Sequence, residues 1–217
     1  MKKIFLALFL ISIADVSTVA QVQVTFDRNP NSSATRAFRF QHIPSPSGDR
    51  ETARIVLVDG RLDPNGADLN ALIDGRLPAD EDDPGGNVFF SAGSFGGRIR
   101  MDFDRIIQIK EINSYSWHSD TRGPQLYRLF GSDGHDANFN MAPKRGIDPI
   151  SCGWKFIAIV STISERGNEG GQYGVSVQDA RGILGSYRYL LFDIYPSEIV
   201  DNWGNTFFSE IAVRIRR

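Results

Sequence analysis

Residues 117 to 122 read WHSDTR, which sets Trp117, His118, Asp120 and Arg122 within six positions. His118 and Asp120 are two apart, so on an extended chain they share a face. An imidazole beside a carboxylate is part of a catalytic triad only if a nucleophile stands within hydrogen-bond reach of the ring. No G-x-S-x-G elbow occurs in the chain. His42 and His135 are isolated, and no H-x-H or H-E-x-x-H spacing offers a metal site. The carboxylate pair of a glycosidase leaves no local spacing to read, because its two members need not be neighbours in sequence.

The same residue types suit recognition of a polyhydroxylated ligand. An indole can lie against the apolar face of a sugar ring, a guanidinium donates in a fork, and His and Asp exchange hydrogen bonds with hydroxyls. A second reading stands beside it: Trp117 is a core residue of a strand, and Arg122 braces the loop against Asp120. The local chemistry is that of a loop. Ile107–Trp117 reads as one strand and Gln125–Gly131 as the next, with Ser, Asp, Thr and a Gly-Pro pair between them. A later segment, YPSEIVDNWGN (195 to 205), brings Trp203 just ahead of the last strand, where it could join the same face.

The elements that must hold these residues are strands. Short runs rich in Val, Ile, Phe and Tyr recur between Gly, Pro, Asn and Asp clusters. They are Val22–Phe26, Phe38–Ile43, Arg54–Val58, Arg98–Phe103, Ile107–Trp117, Gln125–Gly131, Trp154–Ser161, Tyr173–Gln178, Tyr187–Ile194 and Thr206–Ile215. In the fourth, Ile99, Met101 and Phe103 alternate with Arg98, Arg100 and Asp102, the pattern of a half-buried strand. In the last, Phe207, Ser209, Ile211, Val213 and Ile215 fall on one face, with Glu210 and Arg214 on the other. YRYLLF (187 to 192) is apolar on both faces, which predicts a central, covered strand. A short helix is expected over Ala67–Ile73. No strand–helix alternation appears, so the expectation is an all-β sandwich and not a parallel sheet.

The first twenty residues stand apart. Lys2 and Lys3 precede an apolar run from Ile4 to Ile13, and Thr18 and Ala20 precede Gln21. This is the layout of a cleaved secretory leader, residues 1–20. The apolar run is shorter than the ~20 residues a membrane span needs. Removal of Lys2, Lys3 and Asp15 moves the formal charge from −2 to −3. A weakly acidic chain carries no electrostatic footprint for nucleic acid and no polybasic segment for anionic membranes. Cys152 is the one cysteine, so an exported chain has no internal disulfide to staple it. A buried, inert thiol is the expected state of such a residue. The acidic run Asp80–Asp83 lacks the spacing of an EF-hand loop and reads as a solvated loop that could rim a ligand site. VDGRLDPNG (58 to 66) and IDGRLPADE (73 to 81) share DGRL, which two independent Asp-Gly turns explain.

A larger pattern emerges in order along the chain: Ala71-Leu-Ile-Asp74-Gly75, Val88-Phe-Phe, Gly97-Arg-Ile-Arg-Met-Asp-Phe103, Tyr115-Ser-Trp117, Gln125-Leu-Tyr-Arg-Leu-Phe-Gly-Ser-Asp-Gly134, Tyr187-Arg-Tyr-Leu-Leu-Phe192 and Phe208-Ser-Glu-Ile-Ala-Val213. This resembles the discoidin, or coagulation factor 5/8 type C, superfamily, including uncharacterised secreted bacterial members. The resemblance implies a galactose-binding-like jelly-roll β-sandwich over residues 60–217, with residues 21–59 adding N-terminal strands packed on it. It implies binding of glycans, phospholipid head groups or proteins through loops at one end of the sandwich. It also implies a structural calcium held by Asp74 and Glu210, with backbone oxygens of Ala71 and Ser209 as the natural additions, and Arg76 as a cation that would compete with the ion.

The expected function is therefore a secreted, periplasmic or extracellular, non-catalytic module for a carbohydrate or cell-surface polymer, with Trp117, His118, Asp120, Arg122 and Trp203 as the ligand-facing residues. The alternatives are a structural or protein-interaction domain of the cell envelope and, further off, a hydrolase.

Overall fold

The computed structural model describes residues 21–47, 50–164, 169–198 and 205–216. The expected leader and Trp203 lie outside these residues. The chain is all-β, with ten strands: β1 (Val22–Pro30), β2 (Arg54–Asp59), β3 (Val88–Phe90), β4 (Gly97–His118), β5 (Leu126–Ser132), β6 (Lys155–Ser161), β7 (Gly171–Asp179), β8 (Gly185–Ile194), β9 (Asn205–Phe208) and β10 (Glu210–Ile215).

The long strand β4 organises the sandwich. The two predicted strands Arg98–Phe103 and Ile107–Trp117 are one strand, bent where Asp104 takes φ 61° and the pairing with β8 skips from Asp102 to Ile107. Its first half pairs with β2 on one side and β8 on the other, and β5 and β6 continue outward from β8. Its second half pairs with β7 and β10, and β1 lies beyond β7. The bend thus carries one strand from one layer into the other, and the aliphatic and aromatic side chains of both layers meet between them. Ile99, Ile109, Leu129, Val175, Phe192 and Ile211 are all buried there. Each such side chain contributes about 1.5–3 kcal/mol on burial, and this core stands in for the missing disulfide. The run YRYLLF sits in β8, hydrogen-bonded between β4 and β5, as its two apolar faces require.

Four local expectations are corrected. Phe38–Ile43 is not a strand. It forms an irregular strap whose apolar side chains cover the outer face of β4 and β7: Phe40 packs against Tyr115, with centroids 5.9 Å apart, and Ile43 joins Tyr115 and Ala212 in a small cluster. Thr206–Ile215 breaks at Ser209, because β9 leaves the main sheet to pair with β3. Glu210 is buried, since the strap and the 74–77 turn cover the face that alternation assigned to solvent. The helix over Ala67–Ile73 is a single 3₁₀ stretch, Leu69–Ile73, begun where the Asp68 carboxylate accepts from Asn70 N.

The polar face of β4 is covered as well. Arg98 is buried, with Nε and a terminal nitrogen 3.0 and 3.2 Å from the Asp193 carboxylate, and it donates to the carbonyls of Pro143, Lys144 and Ile147. Cys152 is a buried free thiol among the same packed loops, and burial pushes its pKa up, which keeps it protonated and unreactive. Both glycines of the DGRL echo adopt the left-handed region, φ 101° at Gly60 and 81° at Gly75, so two turns account for the repeat.

Candidate functional site

The end of β4 and the loop that follows form one wall of a cleft of about 500 Å³. The loop leaves the strand at His118 and is held tightly at its base. Ser116 Oγ donates to Gly123 O at 2.5 Å, Gln125 N donates to Thr162 Oγ1 at 2.8 Å, and Gln125 Nε2 donates to Ser116 Oγ at 3.1 Å. A second tie crosses to the 195–198 segment. Ser197 Oγ donates to Thr121 O at 2.8 Å, and the Thr121 hydroxyl donates to the Glu198 carboxylate. Glu198 also stands 3.7 Å from Arg122 Nε.

Two stacked rings form the floor. Phe89 and Phe207 lie parallel with centroids 4.4 Å apart. The His118 ring leans on Phe207 at 4.4 Å, and the Arg122 guanidinium lies 5.5 Å from the centre of the same ring. His118 Nδ1 accepts the backbone N–H of Asp120 at 2.9 Å, which fixes the neutral tautomer and leaves Nε2 as a donor. Burial, helped by the nearby Arg122 charge, holds the imidazole pKa below its ordinary value. The opposite rim carries Asp63, Asn65 and Asp82. Asp63 is steadied by Asn65, whose backbone and side-chain amides donate to its Oδ1 at 3.0 and 2.9 Å.

His118, Asp120 and Arg122 are therefore brought together, and Trp117 is not with them. Alternation along β4 turns Trp117 to the opposite face, where it is buried against the strap and Tyr173. It is the core Trp of the second reading. Phe207, Phe89, Asp63 and Asn65 were not legible as site residues, because they come from three segments distant in sequence. Asp82 was legible only as a member of the acidic run that could rim a ligand site.

The chemistry available here is exchange of hydrogen bonds with hydroxyls. Carboxylates accept, while the guanidinium and His118 Nε2 donate. The triad reading fails on geometry: a backbone N–H holds His118 Nδ1, where a triad has an orienting carboxylate.

No family model and no curated protein matches the sequence. Several solved structures resemble the fold. One is the GH31 CBM32-2 module bound to GalNAc, with TM-score 0.49 and 11% identity over 76% of this chain and 98% of that one. Another is a Streptococcus pneumoniae fucose binding module, SpX-3, with TM-score 0.46 and 12% identity over 77% and 97%. A third is CpGH89CBM32-6 from Clostridium perfringens, with TM-score 0.42 and 14% identity over 80% and 100%. The likeness is to carbohydrate-binding modules.

Of the expected calcium ligands, the Asp74 and Glu210 carboxylates lie near one another, with a rival cation beside them. Glu210 is fully buried. Its Oε2 accepts from Gly75 N at 2.8 Å, and its Oε1 has no hydrogen-bond partner among the described residues. Burial pushes its pKa up to about 8, although the Gly75 N–H and the Arg50 charge pull the other way. Asp74 adds a second negative charge nearby and spends Oδ1 on Arg76 N at 2.8 Å. A desolvated carboxylate oxygen without a partner fits a hard cation. The competitor is Arg50 and not Arg76: its guanidinium lies 3.9 Å from Glu210 Oε1 and covers Gly75. The Asp74 and Glu210 carboxylates thus have one cation beside them, the Arg50 guanidinium.

Proposed function

We propose that the chain is an exported, non-catalytic module that binds an uncharged carbohydrate in the cleft between His118, Arg122 and the Asp63–Asn65 turn. The observation that carries the reading is the composition of that cleft. Three carboxylates, Asp63, Asp82 and Asp120, face one guanidinium and one neutral imidazole above an aromatic floor. Excess negative charge repels anionic ligands, and a mixed set of acceptors and donors matches hydroxyl groups, which are both. The leader-like residues 1–20 support export. Among the described residues no helix is long and apolar enough to cross a membrane. Calcium, held by Asp74, Glu210 and backbone oxygens of Ala71 and Ser209, would tie the 74–75 turn to β10 in a chain without a disulfide.

A glycan array tests the reading. Binding to neutral glycans is expected, weakened about tenfold or more by Arg122→Ala, since a hydrogen bond from a charged donor is worth about 1.5–3 kcal/mol. Absence of binding across the array would overturn it, and protein partners recovered instead by crosslinking would favour an envelope interaction domain.

A further inference from the structure

A second cleft, of about 450 Å³, lies where the strap meets the 75–78 turn. It shares no lining residue with the first. Its chemistry is opposite in sign. Arg36, Arg39 and Arg76 line it, all three exposed, and none forms an ion pair with a carboxylate among the described residues. Three guanidiniums around one hollow, without an ion pair among the described residues, stand out on a chain whose formal charge is −2. Like charges held together cost stability unless a ligand offsets them.

The hollow is built on fixed parts. His42 N and Nδ1 lie 2.7 and 2.8 Å from the Asp27 carboxylate, and the Tyr115 hydroxyl donates to Pro44 O. Gln172 Nε2 donates to Thr35 O at 2.9 Å. Phe40 lies flat over Gly174, where a Cβ would come within 3.1 Å of three ring atoms. Phe38 meets Phe40 edge-on, centroids 5.0 Å apart and planes at 87°. Arg39 is itself oriented, donating to the carbonyls of Arg36 and Phe38 at 3.1 and 2.8 Å. Ser45 and Ser47, with hydroxyls 2.9 Å apart, add neutral donors.

We infer that this strap cleft is a second binding site, for an acidic saccharide whose carboxylate or sulfate is gripped by Arg36, Arg39 and Arg76. Guanidiniums pair with such oxyanions in bidentate geometry, the Phe38 and Phe40 rings supply an apolar surface for a sugar ring, and the serines meet its hydroxyls. The inference stands apart from the neutral-sugar reading of the first cleft, because it uses none of its residues.

The test is affinity electrophoresis of the purified chain through polygalacturonate, dextran sulfate and uncharged dextran. Retention by at least one polyanion, beyond any by dextran, is expected, and the two polyanions separate the carboxylate from the sulfate source. Arg36→Ala and Arg76→Ala should each weaken retention about tenfold, while Arg216→Ala, the same loss of charge on an exposed residue away from both clefts, should not. Equal weakening by all three variants would reduce the effect to bulk charge and overturn the site, as would failure of both polyanions to retain the chain. Neutral-glycan binding, scored separately on the array, reports on the first cleft alone.

Discussion

The His118 imidazole rests against Phe207, 4.4 Å between ring centres and tilted by 56°, with its Nδ1 committed to the backbone N–H of Asp120. Burial disfavours the charged imidazole, and protonation would also place a cation beside Arg122. The folded pKa is therefore below the unfolded one, and the neutral form contributes stability above about pH 6.5, the unfolded value. That contribution is lost as pH falls from there through the folded pKa. Calorimetric melting across the acid range should show this loss in the wild type and not in His118→Asn, whose side-chain oxygen can accept the same N–H. Parallel profiles for the two proteins would refute the assignment.

Arg98 and Asp193 make a buried pair, and the Arg98 guanidinium also collects three carbonyls of the 143–147 loop. Removing one partner strands the other charge in the interior. Arg98→Ala should destabilise the chain by about 3–5 kcal/mol in denaturant unfolding. It should also expose the 143–147 loop to proteolysis before the strands. A smaller loss with an intact loop would mean that Arg145, 3.8 Å from Asp193 Oδ1, takes over the charge.

Much of this architecture was legible, and its failures have a common cause. Alternation identified the strands because one face of each meets the common core, as Ile99, Met101 and Phe103 do. It misjudged the other face wherever a loop covers it. Arg98 and Glu210 look solvent-facing by period two, yet both are buried by segments far away in sequence. Phe38–Ile43 reads as a strand because Phe38, Phe40 and Ile43 make a short apolar run between turn-rich segments, and the pairing of β4 with β7 and β10 leaves it to act as a cover. The site divides in the same way. His118, Asp120 and Arg122 share one loop and stand together already in the sequence, whereas Phe207, Phe89 and Asp63 are joined to them in the cleft only by the fold. Trp117 was misplaced because its neighbours in sequence gave no sign of which face of β4 would form the cleft.

The cleft loop also depends on a close backbone approach. A Cβ on Gly170 would lie 2.0 Å from Ser119 O and 2.7 Å from Asp120 N, atoms that cannot move without displacing the loop. Gly170→Ala should destabilise by about 1–3 kcal/mol and weaken neutral-glycan binding more than Gly146→Ala weakens it. Gly146 has open space around it and tests the general cost of replacing a glycine, here one at φ 93°. Glycan affinity measured on both folded variants decides the matter, and equal affinities would remove the contact from the account of the site.

Calcium and Glu210 give a linked prediction. Without the ion, the raised pKa of Glu210 means that the folded state holds its proton more tightly than the unfolded chain. Stability is then present below about pH 4.3, the ordinary glutamate value, and declines as pH rises toward about 8. A bound cation favours the carboxylate and should abolish that decline. Melting at neutral pH should therefore rise on adding calcium and fall with chelator, by the mass-action term of a ligand that binds only the folded state. Arg50→Ala removes the rival guanidinium 3.9 Å from Oε1. It should enlarge the calcium shift, and Glu210→Gln should eliminate both the shift and the decline between about pH 4.3 and 8. A melting temperature indifferent to calcium in wild type and Arg50→Ala alike would leave Glu210 as a protonated core carboxyl, hydrogen-bonded to Gly75 and needing no ion.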